Sequence, residues 1–233
     1  MSSTALRAVL FDMDGTLVDT ERLWLRAVEE EALGLGIVPT DADLAFVLGR
    51  AIDDSAAHLA ARSAGRTDPA RIGASLEQRF TELVRRQVVP LPGAVELLTA
   101  LGTEGIPTAL VSASPRPVVE IVLDALGRHW FTTSVAAGET PRTKPFPDPY
   151  QAALARLGAG PATCVAVEDS PAGVASAEAA GCAVVAVPSL AAIAPAPRRL
   201  VLRGLPDIDL ALLRHLVGTG DSPLPRPGAR GEA

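Results

Sequence analysis

Five short apolar runs, at about residues 7–11, 106–111, 133–136, 164–167 and 183–187, alternate with stretches of helical period at about 92–104, 115–127, 147–158 and 171–180. Short, largely apolar runs read as strands, and a helix between strands supplies the crossover that a parallel sheet needs. The rhythm therefore predicts an α/β fold, a Rossmann-like parallel sheet with helices on both faces. Sheets of this kind bind ligands beyond the C-terminal ends of their strands, at the point where strand order reverses. The residues that close each apolar run are thus the first candidates for chemistry.

The run Ala8-Val9-Leu10-Phe11 closes on Asp12-Met13-Asp14-Gly15-Thr16. Carboxylates at the end of a buried strand are costly unless paired or bound to a cation, so a cationic partner is expected there. Alternation along the extended chain points Asp12 and Asp14 to the same side, and Gly15 allows the sharp turn that brings Thr16 back toward them. An arbitrary Asp-x-Asp more often marks a solvated turn or a helix N-cap, and three other segments shift that balance. The second run closes on Ser112-Ala113-Ser114, and Cys164-Val165-Ala166-Val167 runs into Glu168-Asp169-Ser170-Pro171. Ser114-Pro115 and Ser170-Pro171 also fit an N-cap followed by a first-turn proline. Of the 21 basic residues, 20 are Arg and the single lysine is Lys144, within Thr143-Lys144-Pro145-Phe146-Pro147-Asp148-Pro149-Tyr150. Lysine is a compact point charge where arginine is a planar fork, so this isolation suggests a position that needs an ammonium.

Between the first run and Pro92 there is no clear strand signal, only helical patterning over Thr20 to Leu35, Asp41 to Leu48, Asp53 to Ser63 and Asp68 to Gln87. Thr20, Asp41 and Asp68 are candidate N-caps, with Pro69 suited to a first turn. The expected organisation is a core of residues 1–18 and 90–218, a small all-α helical cap of 19–89, and a tail of 219–233. The tail is too rich in Gly, Pro, Ser and charge to order itself. A chain of 233 residues with 48% hydrophobic content can bury one substantial core and one small second domain.

A net charge of −6 and a pI near 5.1 argue against a nucleic-acid partner, whose phosphates demand a basic face. No apolar run approaches the ~20 residues of a membrane span, and the N-terminus lacks a secretory pattern, so a cytoplasmic location is expected. Cys164 and Cys182 sit in or beside apolar strands, where packing is the expected role, and the scattered His58, His129 and His215 form no zinc pattern. A monomer is expected, because no long exposed apolar helix stands out.

Together and in this order, the four segments resemble the haloacid dehalogenase superfamily, in the phosphatase and phosphomutase branch that includes the beta-phosphoglucomutase-like enzymes, over residues 6 to 217. The resemblance implies that Asp12 is the nucleophile, Asp14 the general acid/base and Lys144 the charge partner of Asp12. It implies Mg²⁺ held by Asp12, Asp169 and the backbone carbonyl of Asp14, with Glu168 beside them as an outer contact or further ligand. Thr16, Ser112, Ala113, Lys144 and the cap residue Arg50 would contact phosphate or substrate, a small phosphorylated metabolite such as a sugar phosphate. The implied reaction is hydrolysis through an aspartyl-phosphate. Dehalogenation is disfavoured by Asp14, and Schiff-base phosphonate cleavage by the absence of a cap lysine. A sugar-phosphate mutase is the alternative. Against it, Trp24 stands where that subgroup has a His and Ile52 where it has an Arg, although Arg50 is close; Asp19 and Arg22 belong to the hinge or first cap helix. A non-catalytic phosphometabolite-binding protein would be expected to have lost the nucleophile, the lysine or a metal carboxylate, and none is missing.

Overall fold

The structure, a computed structural model, describes residues 5–48, 50, 52–64 and 66–218, so the expected tail lies outside the described residues. The chain separates into two compact units, one running up to Val18 and resuming at Pro90, the other Asp19–Val89.

The first unit is built on six parallel strands, β1 (Ala8–Phe11), β2 (Thr108–Val111), β3 (Thr133–Val135), β4 (Cys164–Glu168), β5 (Ala183–Ala186) and β6 (Arg199–Val201). Their order is β3-β2-β1-β4-β5-β6. β1, β2, β4 and β5 are buried at every residue, which explains their uninterrupted apolar sequences. Order reverses between β1 and β4, which pair in register from Ala8 with Cys164 to Phe11 with Val167. Asp12 and Glu168 therefore leave the sheet side by side at its switch point. β6 carries no sequence signal: Arg199-Leu200-Val201 is too short and too polar to read as an apolar run, and its pairing with β5 makes it a strand.

The second unit is four helices, α1 (Glu21–Gly34), α2 (Asp41–Val47), α3 (Ile52–Arg62) and α4 (Pro69–Gln87). The stripe Ile72, Leu76, Phe80, Leu83 and Val84 of α4 is buried, as are Val28 and Ala32 of α1 and Leu59 and Ala60 of α3. At roughly 1.5–3 kcal/mol per fully buried large apolar side chain, such a stripe is the main source of cohesion in a helical unit this small. The cap of α2 is Thr40, not Asp41: Thr40 and Asp43 bond reciprocally in a capping box, which leaves Asp41 as the first helical residue. Thr20 holds the N-cap position of α1 without a capping side-chain bond, whereas Asp68 accepts from the Ala70 N–H, with Pro69 in the first turn.

Back in the first unit, α5 (Ala94–Thr103), α6 (Arg116–Leu126), α7 (Asp148–Leu157), α8 (Pro171–Ala179) and α9 (Leu210–Gly218) cover the sheet. Tyr150, Ala153 and Leu154 of α7 and Val174 and Ala177 of α8 pack with Ala8, Leu10, Ala109, Val111, Cys164 and Ala166, the alternate residues of three strands. Ser170 caps α8 by accepting from Gly173 N–H. Ser114 does not cap α6, which begins after Pro115 without a side-chain cap. Among the described residues no helix is long and apolar enough to cross a membrane.

Candidate active site

β1 delivers Asp12 to the sheet edge with its N–H bonded to Val167 O at 3.0 Å, and the chain then turns through Gly15 at φ +79°. Glycine is required here twice over: a side chain would strain that φ, and a Cβ would lie 2.3 Å from Asp169 Oδ2. The turn thus presses the Asp12 loop against the end of β4. Asp12, Glu168 and Asp169 each offer a carboxylate oxygen within 4.8 Å of the others, and all three are buried.

One cation enters this cluster. Lys144 Nζ lies 2.6 Å from Asp12 Oδ1, 2.6 Å from Glu168 Oε1 and 2.9 Å from Val111 O. The pairs are secluded, with side-chain exposures of 7% for Lys144, 9% for Asp12 and none for Glu168. Burial alone would lower the lysine pKa, but the charges of Asp12 and Glu168 outweigh it and drive it upward, so the ammonium stays charged. Burial, with Asp12 adding to it, raises the Glu168 pKa against the opposing pull of Lys144. Ammonium and carboxylates therefore hold one another, and the lone lysine of the sequence is the buried counter-ion of the strand-end acids.

Around this centre, Ser112 Oγ and Ser114 Oγ both donate to Asp14 Oδ2, at 3.1 and 2.8 Å, while Ser112 Oγ accepts from the Ser114 N–H. Tyr150 O–H donates to Glu168 Oε1 at 2.6 Å, and Ser189 Oγ to Asp169 Oδ2 at 2.5 Å. Thr16 Oγ1 is buried without a hydrogen-bond partner among the described residues. Ala113 is exposed between the two serines. The carboxylate of Asp14 is not in the three-acid group; it faces the serines. Asp12, Asp14, Ser112, Lys144, Glu168 and Asp169 thus gather at the C-terminal ends of β1, β2 and β4. Ser114, Tyr150 and Ser189 were not read from the sequence as site residues. Tyr150, like Lys144, is the single residue of its kind in the chain, a rarity that could have drawn attention to it.

Arg50 belongs to the second unit, where its guanidinium carbon lies 4.2 Å from the Phe46 ring centroid. Phe46 stacks on His58, and His58 Nε2 bonds Asp43 Oδ1 at 2.7 Å. Trp24 Nε1 donates to Val47 O at 3.1 Å and its ring meets Phe80 edge-on, so the indole ties α1 to α2 and α4. Asp19 and Arg22 form an exposed ion pair at 3.6 Å.

Oxygen-only donors, three buried acids against one ammonium and the close approach that Gly15 permits to Asp169 fit a small hard cation such as Mg²⁺.

Fold and site together define a Rossmann-like α/β protein whose carboxylates converge at the switch point of a parallel sheet. A family model for haloacid dehalogenase-like hydrolases matches residues 6–181, and the chain belongs to that family. It is 37% identical to hexitol phosphatase A of Escherichia coli over 187 residues, 78% of this chain and 82% of the relative. It is 35% identical to protein CbbY of Rhodobacter capsulatus over 197 residues, 79% of this chain and 86% of the relative. The crystal structure of CbbY from Rhodobacter sphaeroides in complex with phosphate superposes with a TM-score of 0.74 at 28% identity, covering 86% of this chain and 95% of that one.

Proposed function

We propose that this hydrolase is a Mg²⁺-dependent phosphatase that cleaves a small phosphorylated metabolite, a sugar phosphate or a similar phosphomonoester, through an aspartyl-phosphate on Asp12. The observation that carries this reading is the buried Lys144–Asp12 pair at 2.6 Å, with Asp14 two residues on and hydrogen-bonded by two serines. Two carboxylates in different environments, one beside an ammonium and one beside two hydroxyls, can divide attack and proton transfer between them. The phosphatases among the relatives support the same substrate class.

Asp12 attacks phosphorus in line, forming an acyl-phosphate bond as the ester P–O bond breaks. Asp14 gives its proton to the departing alkoxide, then takes a proton from the water that attacks the phospho-enzyme. Inorganic phosphate leaves and the Asp12 carboxylate is restored. Lys144 offsets the charge of Asp12 as a second anion approaches, and Ser112, Ala113 and Thr16 are the candidate contacts for phosphate oxygens. Arg50 is the candidate substrate contact of the second unit. Mg²⁺, held by Asp12, Asp169 and the Asp14 carbonyl, would supply positive charge to the phosphoryl oxygens. Mutase chemistry is disfavoured because the Trp24 indole is committed to Val47 O and the second unit has no lysine.

Phosphate release from a panel of phosphomonoesters tests the reading. Release should require Mg²⁺, stop in chelator and be absent in Asp12→Asn, whose amide keeps the shape but cannot attack phosphorus. Wild-type turnover by Asp12→Asn, purified free of other phosphatases, would remove Asp12 as nucleophile.

A further inference from the structure

Tyr150 is the largest fully buried side chain of the described residues and sits in the third position of α7. An aromatic residue packed among strand side chains needs no function, and a buried phenol needs only some acceptor for its proton. The acceptor used here is the one the site depends on. Tyr150 O–H and Lys144 Nζ both donate to Glu168 Oε1, each at 2.6 Å, and Lys144 Nζ also lies 5.4 Å from the Tyr150 ring centroid. One side chain thus touches both members of the Lys144–Glu168 pair, with its hydroxyl on the acid and its ring beside the ammonium.

Lysine presents three N–H donors on a flexible stem, and a point charge of that kind takes its direction from its acceptors. The Lys144 acceptors are Asp12 Oδ1, Val111 O and Glu168 Oε1. Val111 O is fixed by the sheet, and Asp12 is the group that must be free to react. Glu168 is therefore the side-chain anchor. Its own carboxylate is set by Tyr150 at Oε1, by Ser170 Oγ at 3.3 Å from Oε2, and by the backbone of α8 at Gly173, where a Cβ would approach it to 1.9 Å.

We infer that Tyr150 is a positioning residue: its hydroxyl fixes Glu168, and through Glu168 it aims the Lys144 ammonium at Asp12. Its catalytic consequence rests on the phosphatase reading above; the positioning itself does not.

The composition of the chain makes a direct test available, because labelling with ¹⁵N-lysine marks Lys144 alone. In the full-length protein without metal or substrate, Tyr150→Phe keeps the ring and removes the hydroxyl. The single Lys144 ammonium signal should shift, and its exchange with water should quicken. With Mg²⁺ and a hydrolysed substrate, kcat should fall roughly tenfold while KM stays within about twofold, the pattern of a misaimed group rather than a weakened substrate site. An unchanged ammonium signal overturns the proposal, and so does an unchanged kcat in an active enzyme. If the wild type hydrolyses no phosphomonoester, the phosphatase reading fails and the ammonium signal alone decides the role of Tyr150. Should Tyr150→Phe fail to fold, replacing the chain's single tyrosine with 3-fluorotyrosine asks the same question with the hydroxyl retained. The more acidic phenol must then move the Lys144 signal, and a signal that does not move refutes the coupling.

Discussion

Ser114 donates its hydroxyl to Asp14 Oδ2 at 2.8 Å instead of capping helix α6, which starts two residues later. Ser112 reaches the same oxygen at 3.1 Å, so two hydroxyls from the end of β2 hold the second carboxylate of β1's motif. The strand pairing sets this up: β1 and β2 are neighbours, in register from Val9 with Thr108 to Phe11 with Leu110, so the chains leaving both strands emerge together.

Ser114→Ala separates the two roles a serine can play at this point. A capping serine would cost about 1 kcal/mol of stability when removed and leave turnover alone. A serine that orients Asp14 should leave stability within about 0.5 kcal/mol and lower kcat by roughly three- to tenfold. Thermal melting and steady-state kinetics on the same preparation decide between them.

Gly173→Ala should destabilise the protein although it lies in a helix. Alanine is favoured over glycine in helices by about 0.5–1 kcal/mol. Here the added methyl would lie 1.9–2.1 Å from the Glu168 carboxylate, which is fully buried and bonded to Lys144 and Tyr150. Overpacking costs about 1–3 kcal/mol, and displacing a buried paired acid adds to it, so the clash wins. Denaturant unfolding should register a net loss of stability. A gain would mean that Glu168 has room to move and that its place is not set by α8.

Much of this arrangement was legible from the chain. The apolar runs anticipated β1 to β5: β1, β2, β4 and β5 are buried at every residue, which leaves little polar sequence to blur the pattern, and β3, half-buried at Thr133 and Ser134, still ends on the buried Val135. The acids Asp12, Asp14, Glu168 and Asp169 were legible as charges stranded at strand ends, and Lys144 as a lysine among arginines. β6 escaped because Arg199-Leu200-Val201 buries only its central residue and opens on a charge, so its pairing with β5 rather than its own sequence makes it a strand. Ser114 and Asp41 each fit a cap by sequence; local sequence offers Ser114 and Asp14 no sign of each other across 100 residues, and Thr40 and Asp41 are equally plausible caps until the Asp43 side chain chooses. Tyr150 escaped because a buried aromatic has the same signature whether or not its hydroxyl matters.

The second unit carries a pH dependence of its own. Asp43 accepts from the Thr40 N–H and hydroxyl, and these bonds, with lesser help from His58 and Arg62 and against the effect of burial, lower its pKa to about 2. The folded value lies below the unfolded one near ~3.9, so the ionised group stabilises the fold above about pH 4, and that contribution is lost as pH falls through 2. Asp43→Asn should be less stable than wild type by on the order of 1–2 kcal/mol at pH 6, with the gap closing between about pH 4 and pH 2. Melting curves of both proteins across that range check it, and a gap that stays constant would assign the effect to shape rather than charge.

Lys144→Arg tests whether the lone lysine is a matter of chemistry. On an exposed surface the exchange would be silent within about 0.5 kcal/mol, and this chain uses arginine everywhere else. At position 144 the ammonium is 7% exposed and sits among three acceptors within 2.9 Å, a space cut for a point charge. A guanidinium is larger and planar, so it must either push Glu168 and Asp12 apart or withdraw from one of them. Overpacking should cost about 1–3 kcal/mol of stability, and misplacement of the charge beside Asp12 should lower kcat by at least roughly tenfold, a rise of about 1.4 kcal/mol in the barrier. Wild-type kinetics and melting temperature in Lys144→Arg would show that the pocket accepts any cation, and the isolation of this lysine would then carry no chemical meaning.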